Sequence, residues 1–439
     1  MKEEFFKMKN KIFIITILLI LLTSGTILAQ EPKQISVNDY QDPTTCMGCH
    51  KNIYDQWQGS MHSLSEVDPI YKRVYNMAAQ ETEGFTNAYC SSCHAPISTS
   101  AAKINEKQKD PTTELGKKGI SCDFCHTVSE IKETHNAQYI SSPGNTKRGP
   151  FDDSKSPAHK TQYSEVHTKS EFCGSCHNVT HPVNNTPLER TYTEWKEGPY
   201  NTGNPETTTY CQDCHMTPGP QVTKPNPGKA SIIGPEREHI YTHYFVGGNT
   251  LIPKTADSTT HSKKAKERLK SAAKIELLSY NLNSDILIFK IKIKNVGAGH
   301  KLPTGLTESR QMWLNTKITD QNGKELFVSG NLDKKGNIAN NTTVYHTTIG
   351  NKDGEKTFKV WNADRILHDN RIPPKGYTIE SYSLKIPQKI QSPIKIEAVL
   401  KYRSAPQKLV DLLWEDEDKI PTVPVTEMTS LEREIKLNK

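Results

Sequence analysis

The pattern of apolar and polar positions divides the chain into stretches of different character. A basic start with Lys2, Lys7, Lys9 and Lys11 leads into an apolar run from Ile12 to Leu22, and the segment ends at Ala29 with Ile27 at the −3 position. That order of basic, apolar and small residues reads as an export signal over residues 1–29, cleaved after Ala29. Ile12 to Ala29 reaches the lower length limit for a membrane span, so retention as an anchor is the alternative. Residues 30–41 are a polar lead-in. Between Asp42 and Thr250 only short helical pieces fit the spacing, around 52–60, 69–81, 193–197 and 238–244. Pro and Gly clusters at 143–149 and 218–227 mark loops.

Residues 251–270 are polar and hold Lys263, Lys264, Lys266, Arg268 and Lys270 close together. Such a run reads as a solvated basic linker or helix, with a docking patch for an acidic partner as the alternative. The apolar period then changes to two. In 285–295, Leu287, Phe289, Ile291 and Ile293 face one way and Ile286, Ile288, Lys290, Lys292 and Lys294 the other, a strand with one buried face. Residues 312–319 and 324–329 flank Asn322-Gly323 and read as a hairpin. Further strands fit 342–349, 377–386 and 394–402, and a short helix fits 407–414. The strands predict an Ig-like β-sandwich over 271–403, followed by a tail over 404–439.

Composition adds a difficulty and its solution. Hydrophobic residues are 34% of the 439, short of the ~45–50% of ordinary soluble domains. The ten cysteines form five pairs, each followed at once by histidine: Cys46-Met-Gly-Cys49-His50, Cys90-Ser-Ser-Cys93-His94, Cys122-Asp-Phe-Cys125-His126, Cys173-Gly-Ser-Cys176-His177 and Cys211-Gln-Asp-Cys214-His215. C-x-x-C-H is the attachment pattern of haem c: two thiols bind the porphyrin and the histidine is an axial iron ligand. Zinc is the competing reading of paired C-x-x-C units, but it requires neither a histidine after each pair nor export. Five covalent haems would supply the missing core. The pattern excludes a disulfide scaffold and a thiol enzyme.

The formal charge of +7 includes +2 from residues 1–29. Two propionates outweigh the net positive charge of each ferric haem core, so five haems bring the protein near neutrality. Bulk charge therefore gives no argument for a nucleic-acid partner.

Eleven histidines lie outside the motifs. His62 follows Trp57 and the first motif, as suits a second axial ligand. His159 and His167 are eight residues apart, about 12 Å if helical, which suits two neighbouring irons. His181 follows His177 by four residues; on the same helix face it would serve a different haem from His177. His239 and His243 share that spacing and are too close for two irons, with His243 the favoured ligand. His300, in Gly297-Ala-Gly-His300-Lys-Leu-Pro303, reads as a packing or turn residue, with a reach to an iron as the alternative. His135 and His261 read as surface residues, His346 and His368 as structural ones.

Three fragments carry a resemblance: Thr45-Cys-Met-Gly-Cys-His50 followed by Trp57 and Ser60-Met-His62, Gly119-Ile-Ser-Cys-Asp-Phe-Cys-His126, and Ser170-Glu-Phe-Cys-Gly-Ser-Cys-His177-Asn-Val-Thr-His181. Over roughly 42–250 the chain resembles the multihaem cytochromes related to cytochrome c-554 and the hydroxylamine oxidoreductases. The resemblance implies stacked haem pairs, with distal histidines drawn from non-adjacent segments. The chain differs in motif count, and no counterpart of the oxidoreductases' cross-linked tyrosine is recognisable. Gly299-His-Lys-Leu-Pro-Thr-Gly305 with Arg310-Gln-Met-Trp313 is similar to a β-rich module appended to some exported multihaem cytochromes.

The expectation is an α+β multidomain protein: a mainly helical and irregular pentahaem domain over 42–250, a basic linker over 251–270 and the β-sandwich. Its expected work is electron transfer with redox partner proteins, in the periplasm or at the cell surface. Membrane attachment would follow only from an uncleaved signal, and an oligomer is compatible with it. The alternatives are a haem-dependent oxidoreductase of a small nitrogen or sulfur compound, and a subunit of a cell-surface electron conduit.

Overall fold

Asp42 and Pro43 start the first helix, Pro43–Trp57. The Asp42 carboxylate accepts the Thr44 amide hydrogen at 2.9 Å, and proline at the first position gives up no bond the helix needs. Asp68 and Pro69 repeat the device for Pro69–Glu81, with Asp68 Oδ1 2.8 Å from the Ile70 nitrogen. The first helix kinks at His50 (φ −110°, ψ 38°), so the chain bends at the first motif histidine. The other motifs lie on or beside the short helices Asn87–His94, Cys122–Cys125, Ser170–Gly174 and Cys211–His215.

This computed structural model describes residues 34–101, 113–220, 225–414 and 420–437. The export-signal reading falls on residues outside those described. Short two-stranded sheets join the motif helices, among them Val128–Ile131 with Tyr139–Ser141 and Thr146–Gly149 with Lys160–Tyr163. The expected helix at 69–81 forms over those residues, and the one at 193–197 overlaps the helix Thr191–Lys196. The one at 238–244 does not form. Glu236–Arg237 pairs with Gly228–Lys229, and Asn226 holds the next residues extended through bonds to the Ile240 backbone.

Eight strands form the two larger sheets of the C-terminal body: β1 (Ala273–Asn283), β2 (Ile286–Asn295), β3 (Gln311–Thr319), β4 (Glu325–Ser329), β5 (Val344–Tyr345), β6 (Tyr377–Lys385), β7 (Ile394–Arg403) and β8 (Thr426–Ile435). One sheet has the order β6-β2-β1; the other has β4-β3-β7-β8, with β5 also on β3. Leu287, Phe289, Ile291 and Ile293 of β2 are fully buried against Met312, Leu314 and Ile318 of β3 and Ile394, Ile396 and Leu400 of β7. The period-two alternation of β2 is thus the inside and outside of a sheet. The hairpin turns at Gly323, whose φ of 80° suits glycine. The sheets are small and open; the class is α+β, and the immunoglobulin-like form of it is not established.

The lysine-rich stretch 251–270 is not a free linker. It forms helices Leu251–Thr255 and Thr259–Ala272, whose Leu251, Ile252, Ala265 and Leu269 are buried. Lys264 Nζ donates to the Pro218 carbonyl at 2.6 Å and Arg268 Nη2 to Thr217 Oγ1 at 3.2 Å, tying the helix to the segment after the fifth motif. Lys263, Lys266 and Lys270 stay exposed. Leu251 and Ile252 share a core with Val410 and Trp414, against which Met61 and Leu64 also pack. Ser36–Lys439 forms one compact unit.

Candidate metal and cofactor centre

The motif-bearing half surrounds a cavity of about 1070 Å³. Its walls include all ten cysteines and ten of the sixteen histidines: the five motif histidines with His62, His159, His167, His243 and His300. None of the ten cysteines is in a disulfide, and sulfurs of different motifs approach one another: Cys46 and Cys122, Cys93 and Cys176, Cys173 and Cys211. The fourth motif therefore adjoins both the second and the fifth.

Each motif histidine has its Nδ1 turned to an oxygen. His50 bonds the Ala230 carbonyl at 2.7 Å, His94 that of Ser65 at 3.0 Å and His215 that of Val246 at 3.1 Å. His126 bonds Arg148 O at 2.5 Å, and His177 bonds the Glu189 carboxylate at 3.4 Å. An Nδ1–H held this way fixes the tautomer and leaves the Nε2 lone pair for a metal.

Four motif rings face a second imidazole across the cavity. The ring centres are 6.5 Å apart for His50 and His159, 6.3 Å for His177 and His62, 6.4 Å for His126 and His243, and 6.4 Å for His215 and His300. Two imidazoles bound to one metal from opposite sides by bonds of about 2.0–2.1 Å hold their centres about 6.4 Å apart. His159, His243 and His300 also turn Nδ1 to a carbonyl, of Lys160, Tyr241 and Lys301 respectively. Burial brings His62, His215 and His243 down to about 3, with neighbouring histidines and, for His215, Arg268 adding to it, so these rings are neutral and able to ligate.

Distant segments hold these rings in place. The His62 carbonyl accepts from the Ile120 amide at 2.9 Å, and Trp57 Nε1 donates to Ile120 O at 2.9 Å. A Cβ on Gly119 (φ +63°) would lie 2.4 Å from the same His62 oxygen, so the approach needs glycine. The His243 amide donates to Gln56 Oε1 at 2.8 Å, joining the segment of 226–246 to the first motif helix.

The second motif differs. His94 stacks on Tyr71 with ring centres 3.8 Å apart and planes 2° from parallel, and none of the sixteen histidines faces it as a pair. His167 lies 5.6 Å from His126, which His243 also faces; its Nε2 is 3.0 Å from Cys125 O, and its buried Nδ1 has no hydrogen-bond partner. The helix imagined between His159 and His167 is replaced by strand Lys160–Tyr163, so their 12 Å helical spacing does not apply. His181 is off the cavity. Its Nε2 donates to Trp361 O at 3.0 Å, and its Nδ1 accepts from the Val183 and Asn184 amides at 3.3 and 3.4 Å. The chain leaves its helix before His181 and enters the strand Val179–Thr180, so the shared helix face with His177 does not exist. His261, expected at the surface, is buried between Ser258 Oγ and the Gln56 carbonyl.

These residues fit haem c. The cavity brings paired thiols, anchored imidazoles and aromatic walls to one place, and Arg268 Nε is buried without a hydrogen-bond partner beside Cys214 and His215. A largely buried guanidinium is stabilised by an acidic partner, which a haem propionate would supply. Glu189 and Tyr71 carry no signal in the sequence, since each gains meaning only from the histidine it meets in space, and Arg268 stands there only as one member of a basic run.

The family model of cytochrome c554 and c-prime matches residues 45–127. The crystal structure of a penta-heme cytochrome c552 from Thermochromatium tepidum aligns with a TM-score of 0.64 at 18% identity, covering 91% of this chain and 100% of that one. A structural-genomics target overlaps 36% of this chain at 12% identity with a TM-score of 0.14, too distant for any argument. No curated protein sequence matches. The family model spans the first three motifs, and the crystal structure shows a similar fold over most of the chain. No helix among the described residues is long and apolar enough to cross a membrane.

Proposed function

We propose that the chain is an exported pentahaem cytochrome c that relays electrons between redox partner proteins. The observation that carries this reading is the set of facing imidazole pairs in one cavity lined by five C-x-x-C-H motifs. His50 with His159, His177 with His62 and His126 with His243 would each hold one haem iron between them. When bound, haem c supplies a one-electron iron couple whose potential follows ligands, burial and nearby charge. The chain sets those terms. Backbone carbonyls orient the imidazoles, Glu189 makes His177 a stronger donor, and the buried Arg268 places positive charge by the fifth motif. Contact between thiols of different motifs supports closely spaced haems in series, with the fourth motif at the branch.

A second reading has one observation in its favour. His94 stacks on Tyr71 and faces no second imidazole, so an iron there would have no imidazole opposite it, as in an oxidoreductase of a nitrogen or sulfur compound. Spin quantification of the ferric protein, followed by a redox titration, separates the two. The carrier reading expects at most one high-spin haem, stepwise reduction over a broad range, and no turnover of hydroxylamine or nitrite. A high-spin signal that shifts on adding either compound, with product formed, replaces it by the enzyme reading.

A further inference from the structure

We propose that His300, at the end of the C-terminal sheet body, is the second ligand to the iron of the haem that Cys211 and Cys214 would anchor and His215 would ligate. This rests on the pentahaem reading and extends it: residues after 270 complete a metal site whose thiols and first ligand lie in the motif-bearing half. The two rings are 6.4 Å apart and 19° from parallel, matching the other three facing pairs. Both turn Nδ1 to a carbonyl, His215 to Val246 at 3.1 Å and His300 to Lys301 at 2.9 Å, so both Nε2 atoms are left for the metal.

The loop around His300 is locked in position rather than draped over the cavity. The Lys301 amide donates to Glu194 Oε2 at 3.0 Å, and Thr304 Oγ1 lies 2.7 Å from Thr191 Oγ1 on the same helix, Thr191–Lys196. Glu194 in turn pairs with Arg371 at 2.7 Å, with both side chains more than nine-tenths buried. Asn295 Nδ2 holds the His300 carbonyl at 2.8 Å from the end of β2, and its Oδ1 accepts from the Ala298 amide at 3.1 Å. A Cβ on Gly297 would lie 2.4 Å from the Ser271 carbonyl oxygen, so the loop sits against the end of helix Thr259–Ala272 only because it carries glycine there. A packing histidine does not require this set of bonds from three separate segments. A ligand held to its iron does.

The test is His300→Ala in the full-length haem-loaded protein, with His300→Met beside it. His300→Ala is expected to keep every covalent haem by mass, to convert one low-spin haem to high-spin, to gain one equivalent of carbon monoxide binding, and to regain the low-spin signal with added imidazole. His300→Met is expected to stay low-spin with one haem potential raised and a sulfur-to-iron charge-transfer band. An unchanged spin count in His300→Ala, or a methionine variant with neither the band nor a shifted potential, overturns the assignment. A wild-type peptide spanning Cys211 and Cys214 that carries no haem overturns the pentahaem reading itself, and His300 with it.

Discussion

Produced without haem attachment, the chain is expected to lose the fold of residues 42–250. The main apolar core lies elsewhere, where Leu287, Phe289, Ile291 and Ile293 meet the facing sheet. In the motif-bearing half the side chains surround a cavity of about 1070 Å³ instead of filling it, and closely packed interiors do not tolerate such a space. Five haems would contribute the apolar surface and the iron–imidazole bonds that draw distant segments such as 57–62, 159 and 243 together. Binding of this kind is folding free energy, as it is for other metal-dependent domains. Limited proteolysis of haem-free chain is expected to cut first within 42–250, with the strands from Ala273 onward surviving longer. Equal protection of both halves without haem would show that the cavity is self-supporting.

Replacing His62 by Ala is expected to change the spin state of one haem completely, whereas His181→Ala leaves every spin state as it was. His62 faces His177 at 6.3 Å with its ring buried. Its loss removes an axial ligand and leaves the covalent thioether bonds intact, so haem mass is retained while one low-spin equivalent becomes high-spin and recovers with imidazole. His181 spends both ring nitrogens on the backbone of 361 and 183–184. Its removal leaves the Trp361 carbonyl without that donor and costs about 1–3 kcal/mol of stability, read as a lower denaturation midpoint. Low-temperature electron paramagnetic resonance of the two variants distinguishes the roles. A low-spin loss in His181→Ala with none in His62→Ala would reverse them.

The C-x-x-C-H motifs and the strands could be read from the chain because each depends on local order. C-x-x-C-H is contiguous, and the period of two in β2 needs no knowledge of its partners. The helix 69–81 could be read for the same reason, since Asp68 and Pro69 signal its start. Pairing of histidines across the cavity is a property of tertiary structure. A helix at His159 or His181 is what the spacing implies, and neither residue lies in one; His159 nevertheless arrives opposite His50, whereas His181 turns onto the backbone of 361. His300 looked like a turn residue because it is one, and nothing local reveals that its turn is clamped by Glu194 beside His215. The basic stretch 251–270 read as solvated because five cations lie close together there; Lys264 and Arg268 instead reach inward to the segment after the fifth motif.

The most direct test of the whole account is the intact mass of the protein recovered after export, combined with a count of iron per chain. The expected mass exceeds that of the polypeptide from Gln30 onward by five haems, with five irons, no free thiol among the ten cysteines and no stoichiometric zinc. Four haems, or zinc held by any one of the C-x-x-C pairs, would contradict it.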